Sequence, residues 1–220
     1  MRVEEFRSIQ QEVRIENAQV SVGGFLAVPE GAESIVLFAH GSGSSRFSSR
    51  NNYVASVLHE AGIATLLFDL LTESEEHDRR DIFDIDLLAS RLVMATDWIA
   101  SRDDTSGFKL GYFGASTGSA AALKASVITE HEVYAIVSRG GRPDMALDVI
   151  ERVKAPTLLI VGGNDSGVIE LNEAAYERLR CEKRLVLIPG ATHLFEEPGA
   201  LEKVSVIAKE WFVEHLERDL

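Results

Sequence analysis

The chain is punctuated by short runs that are apolar along most of their length: Ser34–Ala39, Ala64–Asp69, Phe108–Phe113, Val133–Val137, Thr157–Val161 and Arg184–Ile188. A strand with one wet face alternates polar and apolar residues. These runs do not alternate, and they are too short for helices, so they read as strands covered on both faces. Segments with helical spacing lie between them. Val54, Val57, Leu58 and Ala61 mark one, and Leu88, Leu92, Ala95 and Ile99 mark a helix from about Asp84 to Ala100. Leu171–Leu179 reads as another, and a short helical segment is expected near Met145–Val153. Leu201, Val204, Ile207, Ala208, Trp211 and Phe212 mark a closing amphipathic helix. Alternation of this kind predicts an α/β fold, a mostly parallel sheet with helices on both faces. Glu12–Ile15 and Val20–Val28 are expected to pair as an opening hairpin that turns near Glu16-Asn17. With 220 residues and no internal repeat or linker, residues 1–220 are expected to form a single domain with a sizeable core.

Parallel sheets of this type place their chemistry in loops beyond the carboxyl ends of the strands. The loop after Phe108–Phe113 reads Gly114-Ala115-Ser116-Thr117-Gly118, and a small-residue helical run follows it. Strand, G-x-S-x-G, helix is the setting of a nucleophile elbow, in which a serine sits at the tip of a tight, strained turn. A serine hydroxyl is a weak nucleophile and needs a base oriented by an acid. Of the downstream histidines, His131 precedes a strand and His215 lies in the closing helix. His193, in Pro189-Gly190-Ala191-Thr192-His193, follows a strand directly and is the expected base. For the acid, Asp165 in Gly162-Gly163-Asn164-Asp165 is favoured, with Asp144 as the rival one strand earlier. Asp165 also has an ordinary alternative role, as the N-cap of the next helix.

An oxyanion hole would draw one donor from the Thr117 N–H and a second from the loop His40-Gly41-Ser42-Gly43-Ser44-Ser45. Ser42 is the expected second donor and Gly43 the next. His40 reads as a structural residue holding that loop. Gly43 and Arg142 are candidates for contact with substrate, Arg142 through a carboxylate on it, and Arg46 and Arg50 could add to a local positive patch. The alternative is that these arginines pair with nearby acids such as Asp144.

The formal net charge of −13 argues against nucleic acid and against anionic membranes as partners. No apolar leader or membrane-length run is seen, and Cys181 is the single cysteine, so a cytoplasmic protein is expected. Asn164-Asp165-Ser166 matches a glycosylation sequon, which is idle without secretion. No metal motif is present: there is no H-E-x-x-H and no Cys/His cluster. The charged stretch Glu73–Asp81 mixes both signs contiguously and reads as a solvated loop rather than a metal site. Gly41-Ser42-Gly43 opens like a dinucleotide fingerprint but fails at Arg46, and no P-loop occurs.

Taken together, His40-Gly41-Ser42-Gly43, Gly114-Ala115-Ser116-Thr117-Gly118, Gly162-Gly163-Asn164-Asp165 and Gly190-Ala191-Thr192-His193 make the chain resemble the α/β-hydrolase superfamily. Within it the chain looks like the small dienelactone-hydrolase-like group, along nearly its whole length. The resemblance implies a Ser116–His193–Asp165 triad, no cofactor and no large cap domain. Dienelactone hydrolases proper carry a cysteine at the elbow, where this chain has Ser116. That departure favours a more general serine esterase acting on small-molecule esters, with thioesterase or acyltransferase activity as the alternative and a non-catalytic binding module as a third.

Overall fold

A computed structural model describes residues 10–216. Its framework is an eight-stranded sheet of order β1-β2-β4-β3-β5-β6-β7-β8. The strands are β1 Gln10–Glu16, β2 Ser21–Ala27, β3 Ser34–Ala39, β4 Ala64–Phe68, β5 Lys109–Ala115, β6 Val133–Arg139, β7 Thr157–Gly162 and β8 Lys183–Ile188. The expected hairpin is present: β1 pairs antiparallel with β2, and Asn17 Oδ1 closes its turn by accepting from the Gln19 and Val20 amides at 2.8 and 2.9 Å. β2 adds antiparallel to β4, and every later pairing is parallel.

The helices are α1 Ser49–Glu60, α2 Arg79–Ile82, α3 Ile85–Ala100, α4 Thr117–Ile128, α5 Ser166–Arg178 and α6 Ala200–Leu216. They cover both faces, and side chains alternate along each strand to meet them. On β3, Ile35 and Leu37 point into a core that holds Leu88 and Leu92 of α3 and Leu123 of α4. Val36 and Phe38 point the other way, into a core with Leu58 of α1 and Trp211 and Phe212 of α6. α4 lies deepest. Ala120, Ala121 and Ala122 are fully buried, and residues this small let the helix approach the sheet closely.

Local details depart from the sequence reading. Glu73–Asp81 is not a plain loop. It forms a 3-10 turn at Glu75–His77 and then α2, because Thr72 binds Glu75 and Asp78 caps the Arg80 amide at 2.9 Å. Met145–Val153 is not one helix but two 3-10 turns, Pro143–Ala146 and Ile150–Arg152. α5 starts earlier than its apolar spacing suggested, directly after Asp165. β8 is an edge strand, so its Leu187 is exposed rather than covered.

Candidate active site

β5 ends at Ala115 and α4 begins at Thr117, which leaves Ser116 alone at the turn with φ 51° and ψ −120°. This is left-handed backbone that a side chain rarely adopts, and it is held by its surroundings. The Ser116 amide donates to Arg139 O at 3.2 Å, and Ser116 O accepts from the Ser119 and Arg142 amides at 3.1 Å each. The flanking glycines are sterically required. A Cβ on Gly114 would lie 2.4 Å from Ser119 Cα, and one on Gly118 would lie 2.1 Å from Ala39 O. Thr117 opens α4, so its N–H has no partner within the helix, and it sits at the positive end of the helix dipole.

His193, on the loop after β8, makes a 2.7 Å hydrogen bond through Nδ1 to Asp165 Oδ2. Asp165 does occupy the N-cap position of α5, but its side chain makes no capping bond and turns to the histidine instead. The rival Asp144 is engaged elsewhere: both its oxygens accept from Arg142, at 2.8 Å each. The end of β6 ties this pair to the elbow. Arg139 O holds the Ser116 amide, and a Cβ on the next residue, Gly140, would lie 3.5 Å from His193 Cε1. Among the described residues, the non-glycine positions with positive φ are Ser116 and Phe195, the latter two residues beyond His193. Both strained positions thus fall at the same place in the fold. The histidines set aside in the sequence are engaged elsewhere. His131 Nε2 contacts Asp97 at 3.1 Å, and His215 Nδ1 contacts Trp211 O at 2.8 Å.

The loop after β3 lies against the elbow. Buried His40 bridges it: Nε2 accepts from the Leu70 amide at 3.0 Å, so Nδ1 carries the proton it gives to Gly41 O at 3.0 Å. Burial lowers the His40 pKa, which suits this neutral, structural histidine. The Ser42 amide donates to Thr117 Oγ1 at 3.0 Å, which ties this loop to the elbow but spends the N–H expected as the second oxyanion donor. Ser42 and Gly43 also line a cavity of about 250 Å³, closed on other sides by Leu70, Leu71, Glu76 and Ile82. The Leu70–Phe83 segment therefore forms one wall of a pocket beside the elbow. Glu76, a wall residue the sequence reading passed over, has a raised pKa from desolvation and then from Asp69.

The arginines singled out in the sequence are paired with acids. Arg142 binds Asp144, Arg46 binds Asp69 and Glu12, and Arg50 reaches Glu196 at 3.3 Å. Arg139 was missed. It closes β6, where the strand runs two residues beyond the apolar stretch that signalled it. Continuing the alternation of Ala135 and Val137 would have placed it on the α1/α6 face. Among the described residues no group of three or more His, Cys, Asp or Glu could hold a metal ion, and no helix is long and apolar enough to cross a membrane.

The family model for dienelactone hydrolases matches residues 22–214. A dienelactone hydrolase crystal structure from Anabaena variabilis is 58% identical and superposes with a TM-score of 0.91, over 94% of this chain and 99% of that one. Est1E from Butyrivibrio proteoclasticus, at 16% identity, shares the fold with a TM-score of 0.80 over 94% of this chain and 99% of its own. A Mycobacterium tuberculosis protein provisionally named a phosphoribosyl transferase is 56% identical over 206 residues, which are 94% of this chain and 46% of the relative. The chain thus spans about half the length of that relative. With the expected α/β-hydrolase architecture in place and the match covering nearly the whole sheet, the chain belongs to the dienelactone hydrolase family.

Proposed function

We propose that the protein is a serine hydrolase that cleaves carboxylic esters of small molecules through an acyl-enzyme. The observation that carries the reading is the 2.7 Å contact between His193 Nδ1 and Asp165 Oδ2, on the loops flanking a serine held at φ 51°. With Nδ1–H committed to Asp165, His193 Nε2 is the free acceptor. Ser116 Oγ attacks the ester carbonyl while His193 Nε2 takes its proton. Charge that develops on the carbonyl oxygen is met by the Thr117 N–H at the head of α4. His193 returns the proton to the leaving alcohol, Asp165 stabilising the imidazolium meanwhile. Water then enters, gives a proton to His193 and attacks the acyl carbon; the bond from that carbon to Ser116 Oγ breaks, His193 returns the proton to Oγ, and the acid leaves.

With the Ser42 N–H given to Thr117 Oγ1, the Gly43 amide, the next candidate on that loop, is the second oxyanion donor in this reading. The pocket along Ser42, Gly43, Leu70 and Leu71 takes the acyl or alcohol group. Thioesters suit the same apparatus, and so does an alcohol in place of water, which would make the reaction acyl transfer. We assign the chemistry in the mycobacterial relative's name to the half of that protein that this chain does not span. No cofactor is needed by this mechanism, and the protein acts in the cytoplasm on a diffusible small molecule.

A fluorophosphonate probe tests the reading, because it reacts quickly only with an activated serine. Wild type is expected to label and to turn over p-nitrophenyl acetate, and Ser116→Ala to do neither. Retention of more than a tenth of wild-type turnover by Ser116→Ala would remove the serine from the mechanism.

A further inference from the structure

Arg139 is 7% exposed, and among the described residues no group accepts from its Nε or Nη1. An arginine is charged at any physiological pH, so a buried guanidinium without a carboxylate is costly and uncommon. The residues around it do not offset that cost. Its guanidinium carbon lies 5.8 Å from the centroid of the Phe195 ring, a cation–π contact. Its charged neighbour is a second arginine, Arg50 on α1. Burial, then the Arg50 charge, pull the Arg139 pKa down to about 10. Arg50 is itself only partly served. Glu196 reaches its Nη1 at 3.3 Å from an exposed position, while its buried Nε has no acceptor among the described residues. Two positive charges are therefore held together with unused N–H donors on both.

The location gives this a purpose. The Arg139 backbone carbonyl anchors the Ser116 amide, and Phe195, which packs on its guanidinium, is two residues from His193. Strand alternation puts the Arg139 side chain on the face shared by Ala135 and Val137, where an apolar residue would bury without penalty. Guanidinium forks match oxyanions by charge and by paired N–H geometry. We propose that Arg139 and Arg50 form an oxyanion subsite beside Ser116 and His193, which receives a carboxylate or phosphate group carried by the substrate. This rests on the serine-hydrolase reading for the word substrate, but the binding of the anion does not depend on it. Arg142, committed to Asp144, is not part of the subsite.

Binding is measured first, on Ser116→Ala, where turnover plays no part. Thermal unfolding is followed against inorganic phosphate and against succinate, with ionic strength held constant by sodium chloride. A saturable rise in Tm is expected with at least one of the two anions, and its loss in Ser116→Ala carrying Arg50→Gln as well. Phosphate alone acting would identify a phosphate-bearing substrate, and succinate alone a carboxylate. No rise beyond chloride with either anion overturns the subsite, whatever the fate of the esterase reading. The second measurement compares p-nitrophenyl acetate with p-nitrophenyl hemisuccinate, and with a phosphate-bearing aryl ester where phosphate is the anion that acts. Wild type should favour the anionic ester at least tenfold in kcat/KM. Arg50→Gln should remove that preference and leave the neutral ester within twofold. Arg139→Lys, which keeps the charge and loses the fork, should retain part of it. Equal losses on both esters, or none on either, would make the arginines structural and overturn the proposal.

Discussion

Gly118→Ala tests the packing that makes the elbow. The added methyl would sit 2.1 Å from Ala39 O and 2.5 Å from His40 O, whereas ordinary contact begins at 3.4 Å. Both obstacles are backbone, at the end of β3, so no side chain can swing aside. α4 must back away from β3 by roughly 1 Å. Overpacking of this kind costs about 1–3 kcal/mol, and the rigid partner places this case at about 3 kcal/mol. Alanine is the better helix former by about 1 kcal/mol in a helix interior. At the first turn that gain is smaller, so the clash wins by about 2 kcal/mol or more. The same displacement carries the Thr117 N–H and Ser116 off their positions, and a 1 Å misplacement costs about a hundredfold in rate. Gly167→Ala is the control: it lies in the first turn of α5 with nothing within 4 Å of its added methyl. That variant should gain a few tenths of a kcal/mol, up to about 1 kcal/mol. Urea unfolding at unchanged m-value measures both, and fluorophosphonate labelling follows the serine. A Gly118→Ala protein within about 0.5 kcal/mol of wild type, labelling at the wild-type rate, would refute the argument that this close approach fixes the elbow.

Asp165→Asn should cost on the order of ten-thousandfold in kcat by disfavouring the productive histidine tautomer. Asp144→Asn, which disturbs only Arg142, should stay within about tenfold, and the reverse ranking in ester kinetics would reassign the acid. Thr117→Val removes the acceptor by which the Ser42 amide anchors the oxyanion loop to the elbow, a loss of about 1 kcal/mol, and should lower kcat/KM about fivefold. Thr117→Ser should recover the activity, and equal activity in all three proteins would show that the loop needs no such anchor. His40, with its pKa lowered by burial from an ordinary 6.5, gives the acid limb of stability. Above pH 6.5 its contribution is fully present. As the pH falls below 6.5 the unfolded chain takes up a proton that the buried ring refuses, and stability is lost down to the folded pKa. The slope is at most about 1.4 kcal/mol per pH unit, and His40→Gln should flatten it. Partly buried His59, shifted the same way, leaves a residual slope. An unchanged slope by urea unfolding from pH 6.5 to 5 would clear His40.

Topology was legible because it is written in local patterns. Apolar runs without alternation can only be strands covered on both sides, and a parallel sheet then sends every βα loop to one edge. That is why Ser116, Asp165 and His193 could be singled out as candidates from three loops far apart in sequence, and why His131, at the start of a strand, was set aside. The choice between Asp165 and Asp144 also had a local clue. Arg142 stands two residues from Asp144 and takes both its oxygens, leaving Asp165 for the histidine. Strand ends were less legible. β6 reads as apolar to Val137 but pairs in register through Arg139, whose partners across the sheet are Ala115 and Ile160.

Charge pairing was the least legible layer, because it depends on which side chains the fold brings together from distant segments. Arg46 meets Asp69 across 23 residues and Arg50 meets Glu196 across 146, and no spacing rule announces either contact. A sequence shows how many arginines lie near an edge. It does not show which of them the acids reach. In this fold the acids reach Arg46, Arg50 and Arg142, the three that looked available, and leave Arg139. An unpaired charge on the surface would carry little meaning, since water serves it at small cost. One that is buried beside the strained turns of Ser116 and Phe195 is different. Its cost is incurred in every folded molecule, and an anion delivered with the substrate would offset it only while the site is filled. Specificity for an anionic substrate would then arise from the same desolvation that destabilises the empty site.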